Sequence, residues 1–447
     1  MAKRQQIKPG WVLRHQRSEL EERARKQALE LELLQNSIER IIAGACSGAV
    51  TANQLTRPAM RAFCAAIERS PKDDAARTSL AGLLRLVHEK ADFLLDTVEI
   101  GGRQLNYVHG LIKLNDRRAN WLARPETWKV PSHNARRQFS SLARHLMARY
   151  PVPAFMDEAW LDPAPGTRRL RDWFVHIGLG KNIRTAKTPI PLTKMMAHHF
   201  LEAPGSFGVL GAIRWGQVHA LGGDRRLTEA LLGSRLGNNF AQDEFWSSVI
   251  RFFIANPLLD RRHAGPIVDY IHDQKYEAIQ VVGEDGAVVV HPPPQPNLSM
   301  RGRSATALLT AVDRWHGELG KRAKATGRTF KKSGHAGLRL ADKDGNPTWQ
   351  VRELLSVAEL ALEGRTQKHC VVTYAASCEA GQCSIWTMER KLEIGFERHQ
   401  TIEVRNGIIV QCRGKLNRLP KRSEFTILET WARHAGLRIG PYVPVED

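Results

Sequence analysis

The chain has 447 residues, a length that predicts two or three domains and a large buried core. With 42% hydrophobic and 25% charged residues and no run of about 18 apolar ones, its composition is that of a globular protein without a membrane span. Lys and Arg number 66 against 46 for Asp and Glu, and the net charge of +20 predicts attraction to nucleic acid, the most abundant polyanion of a cytoplasm. The alternative is that Arg is simply frequent in the encoding genome.

The N-terminal segment, residues 1–16, is basic and is predicted to be a flexible arm. It lacks the apolar centre of a secretory signal, so we expect the protein to be cytoplasmic. Residues 17–275 form a predicted helical region without a fixed-period repeat, which argues against a solenoid. Its first helix is predicted from Arg17 to Ala43, with a stripe of Leu and Ile in the second half. Further helices are predicted at Arg57–Glu68, Asp73–Leu95, Leu105–Arg117, Asn134–Tyr150, Arg168–Ile177, Leu192–Leu201, Phe207–Ala220, Arg226–Leu232, Asp243–Ile254 and Gly265–Gln274.

Two motifs in the helical region look like functional sites, but the sequence favours structural roles for both. Residues 178–182, Gly-Leu-Gly-Lys-Asn, resemble a phosphate-binding loop, yet they lack its third glycine and do not follow a strand, which indicates a turn. His198 and His199 are of the residue type that binds metal ions. We find no acidic or thiol partner for them at helical spacing, so we expect an ordinary surface and core histidine pair.

A change of hydrophobic period marks residues 276–303 as a separate connection. Two β-branched runs flank the turn residues 283–286 and predict a hairpin, and a proline-rich segment then continues neither a strand nor a helix. Residues 304–447 are the predicted C-terminal domain. Three of its helices are predicted at Ser304–Leu319, Trp349–Glu363 and Phe425–Ala435.

The most basic stretch of the sequence follows the first of these helices. Flexible Lys and Arg side chains neutralise phosphates without demanding a particular base sequence, so this stretch is the best candidate for nucleic-acid contacts. A solvated loop is the alternative. The candidate residues are Lys321, Arg322, Lys324, Arg328, Lys331 and Lys332.

The residues from 364 to 420 carry the densest functional pattern. A helix is predicted from Gln367 to Ala380, and it would place Cys370, Tyr374 and Cys378 on one face. A short strand is predicted from Ser384 to Met388. Asn406-Gly407, between two β-branched runs, predicts a hairpin with a type I′ turn.

Two groups of polar residues in this pattern are candidate sites. His369, Cys370 and Tyr374 are the catalytic candidates, because the first turn of a helix would favour a thiolate. The run that follows the hairpin is a candidate ligand-binding segment, and we expect both groups to converge on one solvent-accessible pocket. The ligand-binding candidates are Gln411, Arg413, Gly414, Lys415, Asn417 and Arg418.

Three interpretations of these groups remain open. In an enzyme, Cys370 would be a nucleophile, or His369 and Tyr374 would be the acid/base groups. His399 would then be the partner base and Glu403 the nearest acid. In a binding module, the polar run would donate hydrogen bonds to phosphates or base edges. In a structural module, the same side chains would fix the helix to the sheet through internal hydrogen bonds.

The cysteines favour neither disulfides nor a zinc site. Four of the six, Cys370, Cys378, Cys383 and Cys412, lie in one window, but no Cys-x-x-Cys pair is present. A structural zinc site usually contains such a close ligand pair. We therefore expect no cofactor and no metal.

Three motifs in order, His-Cys-Val-x-x-Tyr from His369, Gly-x-x-Ser-Ile-Trp from Gly381 and Gln-x-Arg-Gly-x-x-Asn-Arg-x-Pro from Gln411, resemble the PcfJ-like family. That family is associated with conjugative plasmids and other bacterial mobile elements, and the resemblance implies no particular reaction. It implies an accessory protein of such an element, with DNA or RNA and other element-encoded proteins as expected partners. The predicted fold class is α+β, with a large helical N-terminal region and a small C-terminal domain that contains an antiparallel sheet.

Overall fold

The protein combines helices with an antiparallel sheet, which confirms the predicted α+β class. The chain divides into two compact units, residues 1–182 and residues 183–447. Within the described part of the chain, no helix combines the length and the apolarity that crossing a bilayer would require. The computed structural model describes residues 10–70, 73–91, 94–95, 106–161, 166–282, 288–440, 443 and 445.

The first unit is helical, and the predicted helix from Arg17 to Ala43 is two helices rather than one. The first begins at Gly10, inside the predicted arm, and the second begins after Ser37, whose hydroxyl accepts a hydrogen bond from the Arg40 amide. Serine is a favoured N-cap because it satisfies an amide that has no partner within the helix. The helices of this unit are α1 (Gly10–Gln35), α2 (Ile38–Ser47), α3 (Pro58–Glu68), α4 (Asp74–Ala91), α5 (Asn106–Asp116), α6 (Ala135–Met147), α7 (Glu158–Leu161) and α8 (Thr167–Gly178).

The second unit contains further helices and all the described strands. Its upstream helices lie where the apolar spacing predicts them, and the predicted hairpin near residue 280 is present, although its turn, residues 283–287, lies outside the described residues. The helices are α9 (Lys194–Leu201), α10 (Gly208–Ala220), α11 (Arg225–Leu232), α12 (Asp243–Ala255), α13 (Ala264–Tyr276), α14 (Ala305–Thr326), α15 (Val357–Gln367), α16 (Ala375–Glu379) and α17 (Arg422–His434). The strands are β1 (Ile279–Val282), β2 (Val288–His291), β3 (Leu338–Ala341), β4 (Pro347–Glu353), β5 (Ser384–Lys391), β6 (Phe396–Arg405), β7 (Ile408–Arg413) and β8 (Arg438–Ile439).

The six strands β3 to β8 form one sheet in sequence order, antiparallel except for the last pair. The β6–β7 hairpin confirms the turn prediction, because Asn406 and Gly407 have φ angles of 49° and 72°. Two positive φ angles in succession are the conformation that a type I′ turn requires.

The helix predicted from Trp349 to Glu363 is wrong in its first half. Residues 347–353 form strand β4, which pairs with β5 from Trp349 opposite Arg390 to Glu353 opposite Trp386. The helix begins only after Ser356, whose side chain caps it by accepting from the Glu359 amide at 3.1 Å. Sheet pairing outweighs the helix propensity of Gln, Arg and Glu in this segment.

The helix predicted from Gln367 to Ala380 is also wrong. Helix α15 ends at Gln367, and Lys368 adopts a left-handed conformation with φ of 51°. A short 3-10 turn at Val371–Tyr374 and the five-residue α16 follow. His369 and Cys370 therefore lie in the bend between two helical segments rather than in the first turn of a helix.

The two faces of the central sheet differ in chemistry. One face is apolar: Trp386, Met388 and Ile402 pack against Leu428 and Trp431 of α17. Because side chains alternate along a strand, the intervening residues point to the other face, which α15 covers. That second face holds the candidate site.

Candidate functional site

The α15 side of the sheet is a buried face of polar and ionisable residues, here called the polar face. On β5 and β6 it is formed by Thr387, Glu389, Thr401 and Glu403, which are at most 7% exposed. Thr387 lies opposite Thr401 in the strand register. Helix α15 adds Glu363, which is fully buried. Burying ionisable groups costs free energy unless each finds a partner, and these groups do.

A hydrogen-bonded chain joins His369 to a carboxylate. His369 Nε2 lies 2.8 Å from Thr401 Oγ1, and the Thr401 hydroxyl donates to Glu363 Oε1 at 2.5 Å. Since the single Thr401 proton is directed to Glu363, His369 must donate through Nε2, which leaves Nδ1 as the acceptor nitrogen. The carboxylate thus sets the imidazole tautomer through a hydroxyl.

The same carboxylate continues into an ion-pair network. Glu363 Oε2 lies 3.0 Å from Arg398 Nη1, and Arg398 Nε lies 3.5 Å from Glu389 Oε1. Glu389 also accepts from Arg352 Nε at 3.2 Å, and Arg352 reaches Glu359 at 2.7 Å. The network therefore runs from the buried His369 imidazole to Arg352, a partly exposed residue of β4 that contacts Glu359 of α15.

Burial shifts the two ionisable ends of the hydrogen-bonded chain in opposite senses. Burial, with a smaller contribution from His316, lowers the pKa of His369 to about 4. Burial raises the pKa of Glu363 to about 6, although Thr401 and Arg398 oppose that shift. At neutral pH the imidazole is uncharged and the carboxylate is ionised beside Arg398.

The environment of the Cys370 thiol disfavours the thiolate, whereas the sequence predicted that it would favour it. Cys370 is 7% exposed and packs in the apolar core formed by α11 to α14. Burial raises its pKa well above the ordinary value, and the carboxylate of Asp269, which accepts a hydrogen bond from it, adds to the shift. The expected thiolate is therefore disfavoured, because the thiol is buried and precedes only the short 3-10 turn at Val371–Tyr374 rather than an α-helix.

Tyr374 joins the catalytic candidates to the ligand-binding run. Its hydroxyl lies 3.5 Å from Gln411 Oε1, and burial followed by the charge of Glu403 raises its pKa. This contact joins the two candidate groups, but it is closed rather than the expected solvent-accessible pocket, because His369, Cys370 and Arg413 are only 6 to 7% exposed.

The ligand-binding run is largely occupied by contacts within the unit. Arg413 Nε donates to the Gly233 carbonyl at 3.2 Å, and Arg418 makes two hydrogen bonds to Glu424, at 2.8 and 2.6 Å. The Gly414 amide donates to the Arg418 carbonyl at 2.9 Å. Asn417 lies against Gly265 of α13, and Lys415 is the exposed cation of the run.

His399 cannot be the partner base of Cys370. Its Nδ1 lies 2.9 Å from Glu424 of α17 and its Nε2 3.1 Å from Glu397, so it faces the opposite side of the sheet. Glu403, the predicted acid, forms an ion pair with Arg405 at 2.5 Å. The carboxylate that orients the His369 imidazole is Glu363, which acts through Thr401.

The four C-terminal cysteines lie in three different places. Cys378 and Cys383 are neighbours, with their Sγ atoms 3.7 Å apart. Cys412 contacts Gln400 on the α17 side of the sheet, and Cys370 contacts Asp269.

The predicted basic stretch is partly described. Lys331 and Lys332 are exposed on the loop that leads to β3, and Arg339 is exposed on that strand. Arg328 forms an ion pair with Glu379. Lys321, Arg322 and Lys324 lie on the last turns of α14, and their side chains fall outside the described residues.

The sequence analysis missed Glu363, Thr401 and Arg398, although a signal for them exists. Leu360, Glu363, Gly364 and Gln367 recur at helical spacing on the buried face of α15. Thr401 and Glu403 alternate with Ile402 and Val404 along a strand. Polar residues with the period of a buried face indicate a polar core, and this signal lies outside the three family-like motifs.

Residues 295–427 match the family model described as PcfJ-like protein. No curated protein and no solved structure matches the chain. The matched residues include α14, α15, strands β3 to β7 and hence the whole polar face. Over these residues the chain is similar to the PcfJ-like family, as its C-terminal motifs predicted.

Proposed function

We propose that this protein binds nucleic acid through the basic segment between α14 and β3, as an accessory protein of a bacterial mobile element such as a conjugative plasmid. One observation carries the proposal: residues 321–339 contain seven Lys and Arg and no Asp or Glu. Within that segment Lys331, Lys332 and Arg339 are exposed. The mobile-element context rests on the family resemblance.

The position of these cations suits a phosphate backbone. The loop leads into β3, which is an edge strand of the sheet and pairs only with β4 among the described strands. The free edge of β3 is therefore open to a ligand. Gly334 interrupts the loop with a positive φ of 86° and has open space around it, which leaves room for the neighbouring cations to adjust to a ligand. Contacts of this kind bind phosphates without reading the base sequence, so DNA and RNA would both bind.

A salt series with matched charge variants tests the proposal. The triple variant K331Q/K332Q/R339Q should weaken binding to duplex DNA at least ~10-fold and reduce the slope of log K against log salt by about 2 to 3. The control K187Q/K194Q/R226Q removes the same number of exposed charges elsewhere in the second unit. Equal losses in both variants would mean that total charge, not this segment, governs binding. A salt-independent affinity would exclude the electrostatic mechanism.

A second candidate function is acid–base catalysis at His369 on nucleic acid or a nucleotide. The observation that favours it is the chain from Glu363 through Thr401, which holds a neutral imidazole in one tautomer. A substrate could reach His369 only if residues 368–374 move, because the imidazole is 6% exposed. Nuclease assays on plasmid, single-stranded DNA and RNA test this function. Activity that survives H369Q and C370S in folded protein would exclude the site.

A further inference from the structure

The last turn of α9 brings three metal-ligand side chains together, far in sequence from the polar face. His198 Nε2 lies 3.5 Å from Glu202 Oε1, and His199 Nδ1 lies 3.5 Å from Glu202 Oε2. Their ligand atoms all lie within 4.8 Å of one another. The sequence analysis overlooked Glu202, which stands four residues after His198 and therefore at helical spacing.

Two of these separations, from each histidine to Glu202, are close to those around a tetrahedral metal ion. Zinc binds imidazole nitrogen and carboxylate oxygen at about 2.0 to 2.2 Å, which places neighbouring ligand atoms ~3.4 Å apart. Two imidazoles and one carboxylate with a fourth position left to water form a ligand set that zinc commonly accepts. A small rotation of the two rings would complete the geometry.

The ligands stand on a rigid support. Helix α10 crosses α9 so closely that a Cβ at Gly216 would lie 2.5 Å from the Met196 carbonyl oxygen. On α10, His219 stacks on Trp215 with ring centroids 3.8 Å apart, and the His199 ring rests 5.6 Å from His219. The side chain of His199 is 23% exposed against 60% for His198. The packing therefore holds His199 in place, while the more exposed side chains of His198 and Glu202 can adjust.

His219 supplies a second observation. Its Nε2 atom is buried and has no hydrogen-bond partner among the residues that the structure describes. Buried polar atoms in folded proteins are nearly always satisfied, and a bound ligand or its water is one way to satisfy them. An imidazole beside the ligands can serve as their hydrogen-bonding neighbour.

We propose that His198, His199 and Glu202 bind a divalent transition-metal ion of the zinc type, with His219 as the adjacent outer group. Ordinary helical ion pairs between the histidines and Glu202 are the competing explanation. They predict no metal affinity above that of isolated surface histidines.

Titration of the full chain with ZnCl2 by calorimetry distinguishes the two explanations. We expect one equivalent of zinc to bind, and H198A, H199A and E202Q each to weaken binding at least ~10-fold. The control H434A removes an exposed histidine from the last turn of α17 and should leave binding unchanged. Far-ultraviolet circular dichroism establishes that each variant is folded.

Cobalt substitution gives an independent readout. A tetrahedral site should give Co2+ visible absorption bands that E202Q removes, since Gln is isosteric with Glu but a poorer ligand. The proposal is overturned if no zinc binds, if the three variants bind as the parent does, or if H434A loses affinity to the same extent.

Discussion

His369 and Thr401 share a 2.8 Å hydrogen bond in the buried centre of the C-terminal sheet, and the Thr401 hydroxyl in turn donates to Glu363. This hydroxyl links an imidazole on the bend after α15 to a carboxylate within that helix. Removing it should therefore break the connection between His369 and Glu363.

Replacing Thr401 with valine should destabilise the second unit by about 2 to 4 kcal/mol. Valine has nearly the same shape, but it leaves the His369 N–H and a Glu363 oxygen buried without their partner. Urea unfolding followed by tryptophan fluorescence measures the change, because Trp386 and Trp431 are buried in the adjacent core. The control T426V, on the exposed side of α17, should change the free energy of unfolding by less than about 0.5 kcal/mol. Equal losses in T401V and T426V would show that the hydrogen-bonded chain contributes nothing to the free energy of unfolding.

The pH dependence of stability should contain two opposed contributions from the polar face. The pKa of His369 is about 4 in the folded protein, below its ordinary value, so its contribution is lost as pH falls from about 6.5 toward 4. The pKa of Glu363 is about 6, above its ordinary value, so its contribution grows as pH falls from about 6 to 4.5.

Two variants separate these contributions. Between pH 6.5 and 4.5 (about the range of the two ordinary pKa values), H369Q should lose less stability than the parent and E363Q should lose more. Unfolding midpoints in urea across a pH series measure the slopes. Parallel slopes in all three proteins would contradict the assignment, whatever the absolute stabilities.

Gly265 and Asn417 should form a coupled pair. A Cβ at position 265 would lie 2.3 Å from Asn417 Nδ2, so G265A should cost about 1 to 3 kcal/mol through overpacking. Asn417 has φ of 59°, which glycine adopts without strain, so N417G should be close to neutral.

The double variant G265A/N417G should recover most of the stability lost by G265A, because it removes the clashing side chain. Thermal unfolding of the two single variants and the double variant gives the coupling energy. G317A is the matched control: outside the backbone of its own helix, no described atom lies within 4 Å of the added Cβ, and the helix should gain about 0.5 to 1 kcal/mol. Additive effects at positions 265 and 417 would refute the contact.

Glu424 should make the fold sensitive to acid. Although burial opposes its ionisation, hydrogen bonds from Arg418 and His399 hold its pKa far below the usual range. A group with a lowered pKa contributes stability that is present above its unfolded pKa, about 4.5, and is lost as pH falls below it. E424Q should cost about 3 to 5 kcal/mol at neutral pH, because it leaves Arg418 without its charged partner.

The acid dependence provides the check on that assignment. Below pH 4.5, the parent should lose stability faster than E424Q, and the two curves should approach each other. E429Q changes an exposed carboxylate on the same helix and should keep the steep acid dependence of the parent. A parent curve that stays flat to pH 3 (roughly 1.5 units below an ordinary Glu pKa) would rule out this role for Glu424.

The upstream helices of the second unit could be predicted because each has its own local signal. Helix α12 begins with two acidic residues in its first turn and carries Trp246, Val249 and Phe253 at helical spacing. The segments around Trp349 and His369 have no such signal. Residues 349–353 contain good helix formers although they form a strand. Lys368 adopts a left-handed conformation, which is uncommon for lysine and is not indicated by the sequence.

The sequence indicated some residues of the candidate site but not their burial or their partners, because local signals do not report tertiary packing. The motif residues His369, Tyr374 and Gln411 could be selected by type and spacing. Their burial, and the carboxylate that orients His369, depend on how α15 lies on the sheet. Tyr374 contacts the hairpin run at Gln411, but burial gives the Cys370 thiol an electrostatic environment opposite to the one that helical spacing predicted.

By itself the sequence determined the α+β class, the hairpin at Asn406-Gly407, the family region and the acid-free basic segment, because each depends on composition or on residues close together in the chain. Tertiary structure alone decided that Glu363 and Thr401 meet across 38 positions and that Arg413 reaches a carbonyl 180 positions away. Such contacts depend on the packing of whole elements, which no local propensity encodes.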